Sequence, residues 1–140
     1  IVFKNELMKW CEKGYDYIGA PWYNLKLQEK TYNSILNTEN NWKRIIKNLL
    51  LVKRENINLS VGNGGLSLRK SRKFFLITLF YKSIIKNWKV NEDFFWGIFA
   101  GNFIPFFKIP NADIAKLFSV EGNINRTNSQ KLPFGCHSFQ

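Results

Sequence analysis

Val61-Gly62-Asn63-Gly64-Gly65-Leu66-Ser67-Leu68-Arg69 is the stretch that organises this chain, and Asn91-Glu92-Asp93 follows it some twenty residues later. Three glycines stand just before an alternating apolar run. A backbone without Cβ atoms turns sharply there and lets a ligand lie against it. Leu66-Ser67-Leu68 alternates as a strand. Asn91 is placed to cap a helix over Glu92 to Ala100, whose first turn holds both acids, where the helix dipole favours carboxylates. A glycine-floored pocket with an acidic pair beside it suits sugar or phosphate chemistry. The two motifs are therefore expected to line one concave site, with the Asp93 carboxylate within about 10 Å of the Gly64-Gly65 backbone, close enough for one sugar ring to touch both.

Outward from this centre, strands and helices alternate. Ile1 to Trp10 reads as a strand end followed by a helical turn, broken at Gly14. Tyr15 to Trp22 reads as a strand ending at Gly19-Ala20-Pro21, because proline cannot continue a central ladder. Residues 24–41 read as a polar loop. Trp42, Ile45, Ile46, Leu49 and Leu50 fall at helical spacing, with Lys43, Arg44 and Lys47 opposite. Asn56 to Leu59 leads into the glycine motif. Ser71 looks like the N-cap of a helix over Arg72 to Trp88. Ile109-Pro110 ends a short strand, Ala112 to Phe118 is helical, 123–131 is a loop, and Pro133-Phe134-Gly135-Cys136-His137 is a closing turn. The pattern argues for α/β.

The chain has 140 residues, 45% of them hydrophobic, which is enough for one domain with a real core. No apolar run reaches the length of a membrane span. The opening Ile1-Val2-Phe3 reads like a strand already under way, so residues 1–140 are expected to be a single, partial domain of a longer protein. Cys11 and Cys136 match neither a disulfide scaffold nor a zinc site, and two reduced thiols fit a cytoplasmic protein. The net charge of +11 predicts attraction to anions. It is equally a by-product of a composition rich in Lys, Asn and Ile.

Each candidate has a plain alternative. Asp93 can take a proton from an acceptor hydroxyl as that oxygen attacks a sugar carbon, and Glu92 can hold the acceptor. From composition alone, Asn91-Glu92-Asp93 is better read as a helix cap. His137, the single histidine, can ligate a divalent metal or touch phosphate, though a lone histidine is more often structural. The glycine run matches neither a Walker loop nor a dinucleotide fingerprint, so a glycine turn between elements is its alternative. The five tryptophans are core by default, and Trp22, beside Gly-Ala-Pro, can instead line a pocket.

Tyr15-Asp16-Tyr17-Ile18-Gly19-Ala20-Pro21-Trp22, Val61 to Arg69, Asn91-Glu92-Asp93, Ala115 with Phe118-Ser119 and Glu121, and Pro133-Phe134-Gly135 with His137 arrive in a telling order. In that order the chain resembles, over almost its whole length, a family of uncharacterised bacterial and eukaryotic proteins. The family carries a domain-of-unknown-function label and is viewed as glycosyltransferase-like. It looks like the GT-A class of nucleotide-sugar transferases. The resemblance implies the C-terminal, acceptor-side portion of a GT-A-like fold, with the N-terminal nucleotide-binding half missing.

It also implies roles. Gly64 and Gly65 would floor the donor sugar, Asp93 would be the base and Glu92 the acceptor anchor. Asn63, Arg69, Trp22 and Asp16 would bind donor or acceptor, and His137 would complete a metal site for Mn²⁺ or Mg²⁺. Family members usually carry a Gln-x-Asp element just before the segment matching Val2-Phe3, and this chain starts after it. A divalent cation is thus expected in the longer parent, with none held by this portion, which would itself be inactive. The implied partners are a nucleotide-sugar donor and a glycan or other hydroxyl acceptor. A peripheral contact with the inner membrane face is further expected, and no specific nucleic acid. The implied reaction is an inverting, metal-dependent transfer. The rival is a basic module without catalysis, using Lys43-Arg44, Lys53-Arg54 and Arg69 to Lys73 on nucleic acid or acidic membrane. A degenerate, non-catalytic relative is the third option.

Overall fold

A computed structural model of the chain describes residues 1–22, 61–88, 91–122 and 132–137. The helix expected over Trp42 to Leu50, the loops at 24–41 and 123–131, the lead-in at Asn56 to Leu59 and the basic pairs Lys43-Arg44 and Lys53-Arg54 lie outside these residues. In chain order the described elements are α1 (Leu7–Glu12), β1 (Tyr17–Pro21), β2 (Val61–Arg69), α2 (Ser71–Phe80), α3 (Lys82–Lys86) and α4 (Glu92–Phe94). A π-helical stretch (Phe95–Ala100), α5 (Gly101–Phe103), α6 (Ala112–Phe118), β3 (Ser119–Glu121) and β4 (Gly135–His137) follow. The fold mixes helices with two small sheets, β1 antiparallel to β2 and β3 parallel to β4.

Every residue of β1 is buried, so the strand needs cover on both faces. Alternation supplies it. Tyr17 packs on one side with Ile77 of α2, Phe95, Trp96 and Phe99 of the π-helical stretch, and Phe107. Ile18 packs on the other with Trp10 of α1, Phe118 of α6 and Phe134. Phe118 meets Trp10 edge-on at 5.2 Å and stacks on Phe134 at 5.3 Å. Trp10 and Trp96 are core residues, as tryptophans are by default, while Trp22 and Trp88 are half-buried.

Three expectations are corrected by the backbone. Ser71 is not a cap: Lys70 holds that position without a side-chain bond, and the helix predicted over 72–88 breaks at Tyr81 into α2 and α3. Residues 104–110 form no strand. The Lys108 carbonyl instead accepts from the Asp16 and Tyr17 amides (2.8 and 3.3 Å), and the Lys108 amide donates to the Asp16 carboxylate at 2.9 Å. This hook satisfies the backbone where a ladder would have. Residues 135–137 form β4 rather than a turn, because Ser119, Val120 and Glu121 pair with them and Val2 bridges Gly135 from the other side. The helix over 112–118 is present, capped by Asn111, whose side chain accepts from the Ile114 amide at 3.0 Å.

Candidate functional site at the glycine bulge

The glycines lie within β2, not in a turn ahead of it. Ile18 pairs with Leu68 and Ala20 pairs with Asn63, so five steps along β2 answer two steps along β1. A ladder cannot absorb the difference, and the segment between Asn63 and Leu68 swells out as a bulge. It is braced from within. The Gly65 amide donates to Asn63 Oδ1 at 3.0 Å, and Ser67 Oγ donates to the Gly64 carbonyl at 3.3 Å.

The π-helical stretch presses on β2 just below the bulge. Gly97 backs onto Gly62, which sits at φ 138°. Any side chain at Gly97 would run into the Val61 carbonyl and the Trp22 ring. This close approach brings the first turn of α4 over the bulge. Asn91 begins that turn but makes no side-chain cap, and Glu92 and Asp93 both stand in it.

The Asp93 carboxylate occupies the space where a Cβ on Gly64 would be. The two motifs, far apart in sequence, thus touch. Arg69 joins them. Its Nη2 lies 2.9 Å from Glu92 Oε1 and 3.9 Å from Asp93 Oδ1, and its Nε donates to Ser67 Oγ at 3.1 Å. Its guanidinium rests 5.5 Å from the ring centroids of both Tyr17 and Phe74. Burial would lower the Arg69 pKa, but the hydrogen bond to Glu92 and the surrounding negative charges raise it on balance, so the cation is permanent. Glu92 is mostly exposed, so its ion pair orients side chains more than it stabilises the fold. Beneath Arg69, the Tyr17 hydroxyl donates to the Gly62 carbonyl at 2.6 Å. Burial first, and then the Asp93 charge, push its pKa well above the ordinary value.

On the other side of the bulge, the His137 imidazole fills the space beside Gly65 where a Cβ would be. His137 is the register partner of Glu121 across the parallel β3–β4 pair. Asn63 Nδ2 donates to the Glu121 carboxylate. Asn63 therefore holds the bulge with its oxygen and Glu121 with its nitrogen. The sideward room left by Gly64 and Gly65 is taken by Asp93 and His137. That differs from an open floor: a ligand here meets the backbone of the bulge and the two side chains leaning on it.

The structure thus gathers Asn63, Gly64, Gly65, Arg69, Glu92, Asp93 and His137. Trp22 stands at the edge, stacked on Phe94 at 5.0 Å with its rim against Gly62 and Gly97. Asp16 is not brought to the group. It is buried, with one oxygen 3.2 Å from Lys70 Nζ and the other on the Lys108 amide, and it fastens β1 to the chain beside it. Glu121, Tyr17 and Ser67 join the site without having been singled out as site residues. All three sit inside the ordered motifs, which was the one signal available.

Among the described residues, no group of three or more His, Cys, Asp or Glu is placed to hold a metal ion. His137 and Glu121 are neighbours across the β3–β4 pair, but the two alone do not make a metal site. Cys11 is exposed and Cys136 buried, both as free thiols. None of the described helices is long and apolar enough to cross a membrane.

Comparison with curated proteins gives no match, and comparison with solved structures gives none. A family model, by contrast, spans residues 1–137 and with them every residue gathered at the bulge. The chain belongs to the family described as "Protein of unknown function (DUF5672)".

Proposed function

We propose that this chain is the acceptor-side part of a GT-A-like glycosyltransferase, which moves a sugar from a nucleotide-sugar donor to an acceptor hydroxyl. One observation carries the reading. A partly exposed carboxylate, Asp93, is seated on a glycine bulge beside the Arg69 cation, with the His137 imidazole against the next glycine on the other side. A carboxylate that must remove a proton needs a fixed direction and an open approach. Gly64 gives it the seat, and the Arg69 guanidinium, held by Glu92, stands 3.9 Å from it.

In this reading an Asp93 oxygen accepts the proton of the acceptor hydroxyl. The hydroxyl oxygen forms its bond to the anomeric carbon as the bond from that carbon to the diphosphate breaks. The electron pair leaves with the nucleoside diphosphate, and attack from the opposite face inverts the centre. Glu92, more exposed than Asp93, receives hydrogen bonds from neighbouring acceptor hydroxyls. The bulge backbone at Gly64 and Gly65 lies against the donor sugar, Asn63 keeps that backbone in shape, and His137 faces the diphosphate. A Mn²⁺ or Mg²⁺ ion, if bound, would offset diphosphate charge. His137 is the one residue proposed here to approach it. The compartment proposed is the cytoplasm, where nucleotide sugars are made.

The basic-module reading loses part of its ground in the same place. Arg69 is tied to Glu92, Lys70 to Asp16 and Lys73 to the Phe106 carbonyl. Most of the run Arg69 to Lys73 is therefore committed within the molecule. The test is acceptor-dependent release of nucleoside diphosphate by the intact protein across a panel of nucleotide sugars. Release with one donor supports transfer. Tight, salt-sensitive polynucleotide binding with no release supports the rival.

A further inference from the structure

Helix α2 is apolar on both sides. Its inner side gives Phe74 and Ile77 to the core. Its outer side leaves Phe75, Leu79 and Phe80 exposed, Phe80 by 81%. Next to it Phe106 is 85% exposed and sits at φ 63°, a conformation that a bulky residue takes only under constraint. Lys73 Nζ donates to the Phe106 carbonyl at 3.2 Å and binds that loop to α2. An open groove of about 490 Å³ runs between them, lined by Leu76, Ile77, Phe80, Tyr81, Ile104 and Phe107 among others. Large aromatic rings pushed into water at this density call for a cover.

The charge around this face is one-sided. From residue 61 to residue 88 the sequence has no Asp or Glu, while Arg69, Lys70, Arg72, Lys73, Lys82 and Lys86 are all basic. Arg72, Phe75 and Leu79 follow one another at steps of three and four, which sets them along one side of α2, and Lys82 and Lys86 stand four apart on α3, which follows it. Arg72, Lys82 and Lys86 are exposed, and among the described residues none forms a salt bridge. We infer that this face docks on the surface of an acidic lipid membrane. Phe75, Leu79, Phe80 and Phe106 enter the boundary between headgroups and acyl chains, and Arg72, Lys82 and Lys86 meet the headgroups.

Charge selects this occupant over a second copy of the chain. A symmetric self-contact would set the same cations against each other. None of the described helices can cross a membrane, so the contact is one of lying on the surface. The inference is independent of Asp93 and its chemistry, though it would bring the site to an acceptor held at the same surface.

Vesicle co-sedimentation of the chain tests it. Binding is expected to vesicles with about one-third phosphatidylserine, and to weaken with salt, while phosphatidylcholine alone binds little. Arg72→Gln and Lys82→Gln should each weaken binding roughly fivefold. Phe75→Ser with Phe80→Ser should weaken it roughly tenfold or more. All these side chains lie outside the core, and an unchanged circular dichroism spectrum confirms the fold. Asp93→Asn should bind vesicles as the parent chain does, which keeps this test separate from that of glycosyl transfer. Three results would overturn the inference: no binding to acidic vesicles, equal binding to neutral ones, or binding that ignores both sets of substitutions. A chain that dimerises through Phe80, or that prefers a polynucleotide to acidic vesicles, would overturn it as well.

Discussion

Gly64→Ala is expected to damage the site because of one other residue, Asp93. A methyl at position 64 lands on the Asp93 carboxylate and comes 3.0 Å from Arg69 Nη2. Gly64 is not among the positive-φ glycines, so the backbone itself accepts alanine. The whole cost then comes from overlap. Overfilling a packed site costs about 1–3 kcal/mol. Asp93 is a short side chain at a partly open surface and swings aside, which places the cost near the lower end, about 1 kcal/mol. In an Asp93→Ala background the main obstacle is gone, and the remaining one is the far end of the flexible Arg69 side chain, which can shift by a few tenths of an ångström. There the same substitution should be neutral, or should stabilise by about 0.4–1 kcal/mol through a stiffer unfolded chain. The coupling between the two positions is therefore about 1–2 kcal/mol. Urea unfolding of the four proteins measures it, provided the slopes agree. Equal cost of Gly64→Ala in both backgrounds would show that the glycine is not there for Asp93, and the account of the bulge would fail.

Three further outcomes are expected. Gly97→Ala should cost about 2–3 kcal/mol, because the new methyl meets the Val61 carbonyl and Gly62 Cα, which are backbone and cannot yield; a shift in Tm of under a degree would contradict the close approach. Asp16→Ala should cost about 2–3 kcal/mol by leaving the Lys108 amide without its acceptor, measured by the same unfolding assay, and should do so without any effect specific to turnover. Tyr17 keeps its proton in the folded chain to a pH above its ordinary value of 10.0, whereas the unfolded chain releases it there. Above about pH 10 the unfolded state thus holds fewer protons, and stability falls as pH rises. Tyr17→Phe should be less stable at neutral pH, for want of the bond to Gly62, but should show a flatter alkaline decline in thermal melts.

Much of the local structure was legible because it rests on local chemistry. Gly-Ala-Pro ends β1, the alternation of Leu66-Ser67-Leu68 marks β2, and the helix expected over 112–118 is α6. What could not be read depends on distant partners. The bulge exists because β2 answers β1 with too many residues, a mismatch that neither segment reveals alone. Residues 135–137 looked like a turn because their parallel partner, 119–121, lies far back in the chain. Glu121 went unnoticed as a site residue because only the β3–β4 register sets it beside His137. Asp16 looked like a ligand because it is an acid in a motif, yet burial and its two partners make it a fastening. The glycines were read as vacant space, while the structure fills that space with Asp93 and His137.

The central claim is that the carboxylate seated on Gly64 removes the acceptor proton. Its most direct test is turnover of Asp93→Asn in the intact protein at saturating donor and acceptor. Asparagine keeps the shape and the seat but cannot take a proton at neutral pH. The account predicts that folding and donor binding persist while turnover drops about 100-fold or more. Unchanged turnover would contradict it and remove Asp93 from the chemistry.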